Sequence, residues 1–553
     1  MTDEDIASAI LRRHNAAKTD QGAWISIWSD LAQYVKPDRD CIGLNAAFGK
    51  TPNSGRFDLF DGTAQHGNLI YASGCMAYLT PADDPWFRFD PPQALNDNEN
   101  VKQWTQEVTE ITQQDLATSN FYSQIHESWL EDGAFGTQSI ACEPGDKHPL
   151  RFTSHEIGDY AILENHNGEV DTWFHEFSLT HRQAVQKFGE ANLPAEVVEY
   201  VKLGGEKADE KRMYLHCIYP REDAERDMLK LDGENMPWAS VYLCQTSRKI
   251  VRKTGFWEMP VAVGRHIKWG KTPWGIAPGL FALADQRQLN DLQKNMDALA
   301  EVAAFPRIQA HTEQEGEIDL RSSGVTWYKD PNHIAKEWLT GGRYDIGLDR
   351  VKERQEAVKR AYHVDLFQMF AGIPVTKEMT KAEVVERRRE RLTLFHPTFA
   401  RKTSEVLTPL LRRVFALLLR SGRYPRIPEE LIRMTGPGRA EILDPEVTYT
   451  SRIALELKAI QSSGLQQTLG EFAPVASFKP EVFDAVDFDR AFRDSLRNRG
   501  VPEDWITKPD VVERIREARA QAEQEAAAKQ EAAAAVETAA TAQKAGLMDG
   551  IAA

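Results

Sequence analysis

Met379-Thr380-Lys381-Ala382-Glu383-Val384-Val385-Glu386-Arg387-Arg388-Arg389-Glu390 is the stretch whose reading decides the fold. Thr380 followed three residues later by Glu383 has the form of a capping box, in which hydroxyl and carboxylate satisfy two orphan N–H groups at a helix start. Gly372 and Pro374 lie just upstream and interrupt whatever helix precedes them. The expectation is a helix ending near Phe370, a short exposed loop, and a long polar helix beginning at 381. Arg387, Arg388, Arg389 and Arg391 alternate there with Glu383, Glu386 and Glu390, a spacing that permits i,i+4 pairing. The ordinary reading is a charge-laced helix at an interface; the sharper one is contact with nucleic acid.

Upstream, Leu289, Leu292, Met296, Leu299 and Ala303 repeat at three and four, which predicts an amphipathic helix over 280–303. Phe305-Pro306 ends it. Residues 306–340 are β-prone and turn-rich, with Gly316, Gly324 and Pro331, and a second helix is expected from Asp345 to Phe370. Lys352 and Lys359 are seven apart and share one face of it; they read either as solvent-facing lysines or as a basic line along a phosphate path. Downstream, 381–421 reads as one helix kinked near His396-Pro397, because proline removes a ladder bond, with Ser421-Gly422 at its end. Residues 511–545 are rich in Ala, Glu and Gln: strong helix propensity with little apolar face.

The first 280 residues read as α+β. Helices are expected over much of 1–36, 61–79 and 101–130. Asn167-Gly168 marks a hairpin between strands at 160–163 and 170–174. A short helix near 180–188 and strands near 213–219, 239–245 and 249–253 follow. Trp86-Phe87, after Pro85, reads as a core plug beside a turn.

The chain has 553 residues, 42% of them hydrophobic, and a formal net charge of −16. The length suggests several domains or one elongated subunit. The acidic balance argues against a tight grip on DNA, which would require neutralisation of phosphates by a basic face. No run approaches the roughly 18–20 apolar residues of a membrane helix, and the acidic Met1–Asp5 does not read as a signal peptide. Five separated cysteines form no CxxC pair, which speaks against a zinc knuckle or disulfide framework and for a reducing compartment. Gly264 and Gly270 before Lys271-Thr272 have five residues between them, where a phosphate loop has four. No HExxH or GxSxG pattern appears, and the acidic pairs Asp83-Asp84 and Asp58/Asp61 read as turn residues. No cofactor, metal site or catalytic residue is expected.

The ordered motifs resemble the portal proteins of short-tailed bacteriophages (podoviruses), the head-to-tail connectors. The family's Met-Thr-Ala-Thr-Glu-Val phrase is matched at Met379–Val384, with Lys381 and Ala382 in place of Ala-Thr. Similar phrases are Leu79-Thr80-Pro81 with Pro85-Trp86-Phe87, then Gly255-Phe256-Trp257-Glu258-Met259-Pro260, Arg265, Trp274-Gly275 and Pro278-Gly279. Tyr449-Thr450-Ser451-Arg452-Ile453-Ala454 echoes the family's Tyr-x-Ser-Pro-Leu-Ala, with Arg452 departing at the proline. The resemblance covers most of 20–460. It implies a mainly helical α+β portal fold: a wing over 1–279, stem helices at 280–303 and 345–371, a small β-containing clip at 304–344, a channel loop at 372–380, a long kinked helix returning to the wing over 381–460, and a helical crown with an Ala-rich tail over 461–553.

The function it implies is a ring, twelve copies in this family, at one capsid vertex of the virion. The ring would be assembled in the host cytoplasm and would conduct double-stranded DNA in packaging and ejection. The implied partners are the terminase large subunit, which hydrolyses ATP, the major capsid and scaffolding proteins, tail adaptors and internal ejection proteins. The ring itself would do no chemistry. Lys352, Lys359, Lys377 and Lys381 become candidate channel residues, and Gly372, Pro374, Thr380 and Glu383 the loop and its helix cap. The competing reading, a packaging ATPase or nuclease, needs a phosphate loop or metal carboxylates.

Overall fold

A computed structural model describes residues 2–37, 59–96, 98–145, 147–223, 226–227, 230, 232–304, 308–309, 336–337, 344–370, 381–436, 439–455, 487–498, 505, 507 and 511–529. The chain divides into two compact units, Met1–Ala454 and Leu455–Ala553.

The first unit opens with α1 (Asp3–Tyr34), started by a capping box in which Thr2 and Asp5 bond reciprocally. Its buried face, Ile10, Ala17, Trp24, Trp28 and Leu31, recurs at three, four and seven and lies against the body. Next come α2 (Thr63–Leu79), β1 (Phe87–Asp90), α3 (Glu99–Thr118) and α4 (Phe121–Phe135). The single helix expected over 101–130 is thus two. Ser119 is extended, and its Oγ accepts from Phe121 N, which starts α4 afresh. α4 ends at Gly136, whose φ of 76° is left-handed, a conformation glycine adopts without penalty.

Two antiparallel sheets follow. β2 (Thr137–Glu143) lies between β3 (Arg151–His155) and β9 (Val261–Arg265). The larger sheet has the order β4 (Tyr160–Glu164), β5 (Val170–Thr180), β6 (Lys211–Pro220), β7 (Trp238–Cys244), β8 (Ile250–Phe256). Its first turn is the Asn167-Gly168 hairpin, with Gly168 at φ 78°. Because side chains alternate faces along a strand, Phe174, Leu215, Val241 and Leu243 turn toward Ile10 and Ala17 of α1. Tyr214, Cys244 and Val251 turn the other way, onto Phe188 of α5 (His181–Phe188) and Val197 of α6 (Ala195–Leu203); a single turn, α7 (Glu206–Asp209), leads into β6.

On that second face three histidines gather. The His155 and His175 rings are 4.5 Å apart, and His216 stacks on Tyr242 at 3.8 Å. The Lys187 ammonium lies over Phe177 and Tyr242, at 4.5 and 5.2 Å.

β10 (Ile267–Lys268) and β11 (Gly275–Ile276) form a small hairpin before α8 (Pro278–Ala304). β12 (Ile308–Gln309) pairs with β13 (Lys336–Glu337); the rest of 305–343 lies outside the described residues. α9 (Tyr344–Ala361) packs on α8, where Gly347 admits the Met296 thioether. The helix expected to run unbroken to Phe370 instead stops at Ala361. His363 takes a left-handed φ of 55°, and α10 (Val364–Phe370) sets off separately. This joint rests on two glycines of α2. A Cβ at Gly67 would come within 2.8 Å of the fully buried Tyr362, and one at Gly74 would overlap the Phe367 ring. Gly74→Ala should therefore destabilise the chain by about 1–3 kcal/mol through overpacking. Loss of amide protection in 364–370 by hydrogen exchange would report it; unchanged protection would show that α10 is not seated there.

α11 (Lys381–Lys402) begins at the expected position. Pro397 sits within the helix, and the departure from α geometry comes later, as a π-helical turn at Thr403–Leu407. α12 (Thr408–Arg420) continues to Ser421-Gly422. β14 (Ile432–Gly436) and β15 (Arg439–Ile442) form a hairpin, and β16 (Glu446–Tyr449) returns to pair with β1. Trp86 and Phe87 are fully buried there, as the sequence suggests. The four described cysteines are buried free thiols.

In the second unit, Phe488–Asn498 and residues 511–529 are helical, and Arg516 joins them through Asp489. Phe492 and Trp505 are exposed. No helix among the described residues is long and apolar enough to cross a membrane.

Candidate functional site

The orientation of α9 is set by polar contacts it makes behind its exposed face. Gln355 donates to Asp61 Oδ2 at 3.0 Å, and Arg354 forms an ion pair with Asp285 of α8. α8 holds the same loop: Asn290 Oδ1 accepts from Phe60 N at 2.7 Å, and Gln286 donates to Asp61 O at 2.8 Å. Asp61 also accepts from Thr63 N at 2.8 Å and so begins α2. Asp61, read from the sequence as a turn residue, is a structural clasp joining three helices.

With that face fixed, Lys352 and Lys359 are both exposed, seven residues apart. The arginines beside them are occupied, Arg350 with Glu353 at 3.0 Å and Arg360 with Glu356 at 3.2 Å. Among the described residues neither lysine has a carboxylate partner. α9 carries five basic and four acidic residues, α8 two and four, so the positive line belongs to α9. Lys359 also edges an open groove of about 390 Å³ with His66, Gln355 and Gln368. Of the other sequence candidates, Gly372, Pro374, Lys377 and Thr380 lie outside the described residues. Lys381 and Glu383 belong to the first turn of α11, and their side chains are not described.

The chemistry the sequence reading missed lies behind this face. Lys402 of α11 and Asp132 of α4 form an ion pair, each essentially inaccessible to water. The ammonium lies 4.7 Å from the Trp129 ring centre and 5.4 Å from that of Tyr71. Tyr71 donates to Asp132 Oδ2 at 2.6 Å and lies 3.1 Å from His266 Nδ1. Burial alone would raise the Asp132 pKa, but the Lys402 charge and the His266 hydrogen bond outweigh it and hold the carboxyl far below its usual range. Burial holds His266 neutral, against the pull of Asp132. One signal could have found this centre: a lone lysine, Lys402, in helical register with the apolar Phe395, Phe399 and Val406. The helix expected over 101–130 stops short of Asp132, which sits one turn inside the end of α4.

A second buried charge lies nearby. Arg265 at the end of β9 binds Glu405 through its own N–H at 2.9 Å, Nε at 3.1 Å and Nη2 at 2.9 Å, and also pairs with Glu164. The glycine pair tested as a phosphate loop is explained here. Gly264 is a strand residue of β9, and Lys271 leads into β11, not into a helix. Asp84 pairs with Arg452 at 3.1 Å.

Residues 7–506 match the family described as bacteriophage head to tail connecting protein. The chain is 29% identical over 523 residues to the portal protein of Salmonella phage epsilon15, covering 93% of this chain and 91% of that protein. It is 28% identical over 539 residues to a probable portal protein of Bordetella phage BPP-1, covering 95% and 93%. Among solved structures, the neck of an empty GTA particle aligns with 74% of this chain and 86% of its own at a TM-score of 0.37 and 11% identity. The virion of a native gene transfer agent particle aligns at 0.36 and 12%, with the same coverage. Neither score is high enough to bear on function.

Proposed function

The chain belongs to the bacteriophage head to tail connecting protein family, and from that premise we propose that it is the portal subunit of a short-tailed phage. Copies of it close a ring, twelve in number by the family resemblance, at one vertex of the capsid. Double-stranded DNA passes through the ring during packaging and ejection. The observation that carries this reading is kinship to portal proteins along nearly the whole of both chains.

The structure supports it physically. Phe281 of α8, Ile346 and Leu348 of α9 and Leu394 of α11 are exposed in the single chain, and heterologous contacts that close by rotation would cover such residues. In this reading α8 and α9 are the stem, residues 304–344 the clip, 372–380 the channel loop, and 461–553 the crown. Lys352 and Lys359 face the passing phosphates, two separated positive rings on an acidic wall. Few phosphates are neutralised at a time, so the polymer stays mobile. The subunit does no chemistry, and ATP hydrolysis falls to a docked terminase. Capsid, scaffolding, tail adaptor and ejection proteins complete its contacts.

Native mass spectrometry of the purified chain should show a closed ring; a monomer at micromolar concentration and moderate salt would overturn the reading. Lys352→Glu with Lys359→Glu should leave the ring mass unchanged. It should reduce retention of short duplex DNA roughly tenfold and flatten its salt dependence, since the phosphate contacts are lost. Unchanged retention would move the channel lining to other residues.

A further inference from the structure

The π-helical turn between α11 and α12 is held from four sides, and each hold is specific. Just before it, Lys402 enters the buried pair with Asp132 of α4. Within it, the Glu405 carboxylate takes three N–H groups of Arg265 at 2.9–3.1 Å. Val406, fully buried, rests on Gly264 so closely that a Cβ at 264 would overlap its methyl. Across it, the Tyr449 hydroxyl reaches Thr403 O at 3.4 Å and Thr408 Oγ1 at 2.7 Å. The widened ladder is explicit, with Thr408 N–H bonding back five residues to Thr403 O. Such single turns are rare, are less stable than the α-helix they interrupt, and concentrate at functional positions.

We propose that this turn is a positioning device for α11. The extra residue in the ladder sets Lys402, Glu405 and Val406 at spacings that let all three engage the body together. They fix the rotation of α11 about its axis, and with it the faces α11 presents upstream. Lys402, Glu405, Val406 and Tyr449 are positioning residues, acting through α11 and touching no DNA themselves. Ser404 is the exposed residue of the turn, so the ladder can close as an α-helix without it. Closure would bring Glu405 two residues from Lys402, nearly opposite on the helix, and the two anchors could not both be made.

The inference rests on the portal reading, and the test separates the two. Phage genomes carrying the wild-type gene, a deletion of Ser404, or Tyr449→Phe are compared for ring mass, melting temperature and packaged DNA. The deletion is expected to give rings of wild-type mass and a melting temperature within a few degrees. DNA-filled heads should fall at least tenfold. Tyr449→Phe, which keeps chain length, should give a smaller packaging loss, with faster amide exchange confined to about 399–408. Wild-type packaging by both variants would overturn the proposal. So would a Tyr449→Phe protein that packages normally when the deletion cannot assemble. If the wild-type gene itself yields neither rings nor filled heads, it is the portal reading that fails.

Discussion

Lys402→Met should cost about 3–5 kcal/mol of unfolding free energy, the usual consequence of removing one partner from a buried ion pair. Asp132 has no exposure to water, and its Oδ1 accepts no hydrogen bond, so loss of the ammonium leaves a carboxylate with only Tyr71 and His266 against it. The variant should adapt by keeping Asp132 protonated. Its stability should then fall with rising pH across the neutral range, whereas the parent's depressed carboxyl contributes stability throughout that range. Adding Asp132→Asn to Lys402→Met should recover a large part of the loss, because the uncompensated charge is gone. Denaturant unfolding of the three variants measures this; a loss under 1 kcal/mol for the single variant would show that water reaches the centre.

Acidification from about pH 6.5 to pH 4 should lower stability by several kcal/mol, and the source is the histidine group on the large sheet. Burial depresses His155 from its usual value near 6.5 to about 4, and holds His175 and His216 well below theirs. The unfolded chain therefore binds more protons than the folded one below pH 6.5. The contribution is fully present above the unfolded value and is lost as pH falls toward the folded values. For His155 the shift corresponds to about 3 kcal/mol at most, and partial exposure reduces it to about 2. Lys187 of α5 and Arg252 of β8 act on the group as fixed positive charges, and Glu143 of β2 and Arg151 of β3 act in turn on Lys187. His216→Gln should flatten the acid limb while keeping a polar partner for Ser240, now 2.9 Å from Nε2. Equal stability at pH 7 and pH 4.5 in the parent chain would remove this account.

Much of the fold was legible because its signals are local. The apolar repeat from Leu289 to Ala303 gives α8, Asn167-Gly168 gives the β4–β5 turn, and α11 starts where the Thr380–Glu383 pattern puts it. The errors fall where tertiary contacts override periodicity. His363 can hold a left-handed angle because Tyr362 and Phe367, on either side, are clamped against glycines of α2. No pattern within 345–370 announces that. The π turn depends on Arg265 and Tyr449, distant in sequence, and the proline at 397 gives no sign of it. β1 and β16 were not anticipated because each is four residues long and finds its partner only across the chain. For the candidate site, the spacing of Lys352 and Lys359 was readable. What was not readable is which arginines would be occupied, since Arg354 finds its partner on another helix.

The β1–β16 pairing has a consequence for how the chain is made. Phe87 lies opposite Tyr449 and Asp90 opposite Glu446, so the two halves of this small sheet leave the ribosome about 360 residues apart. At translation rates of roughly 5–20 residues per second, the first strand waits on the order of 20–70 s for its partner. Throughout that interval its edge is open, and until residue 415 is made Phe89, buried in the finished protein, lacks the Phe415 that later packs on it. An open edge beside exposed aromatics is a template for mispairing. The nascent chain is therefore vulnerable from the synthesis of Asp90 until that of Glu446. Ribosome-bound chains halted before 446 should recruit hydrophobic-binding chaperones, and chains released just beyond Ala454 should not.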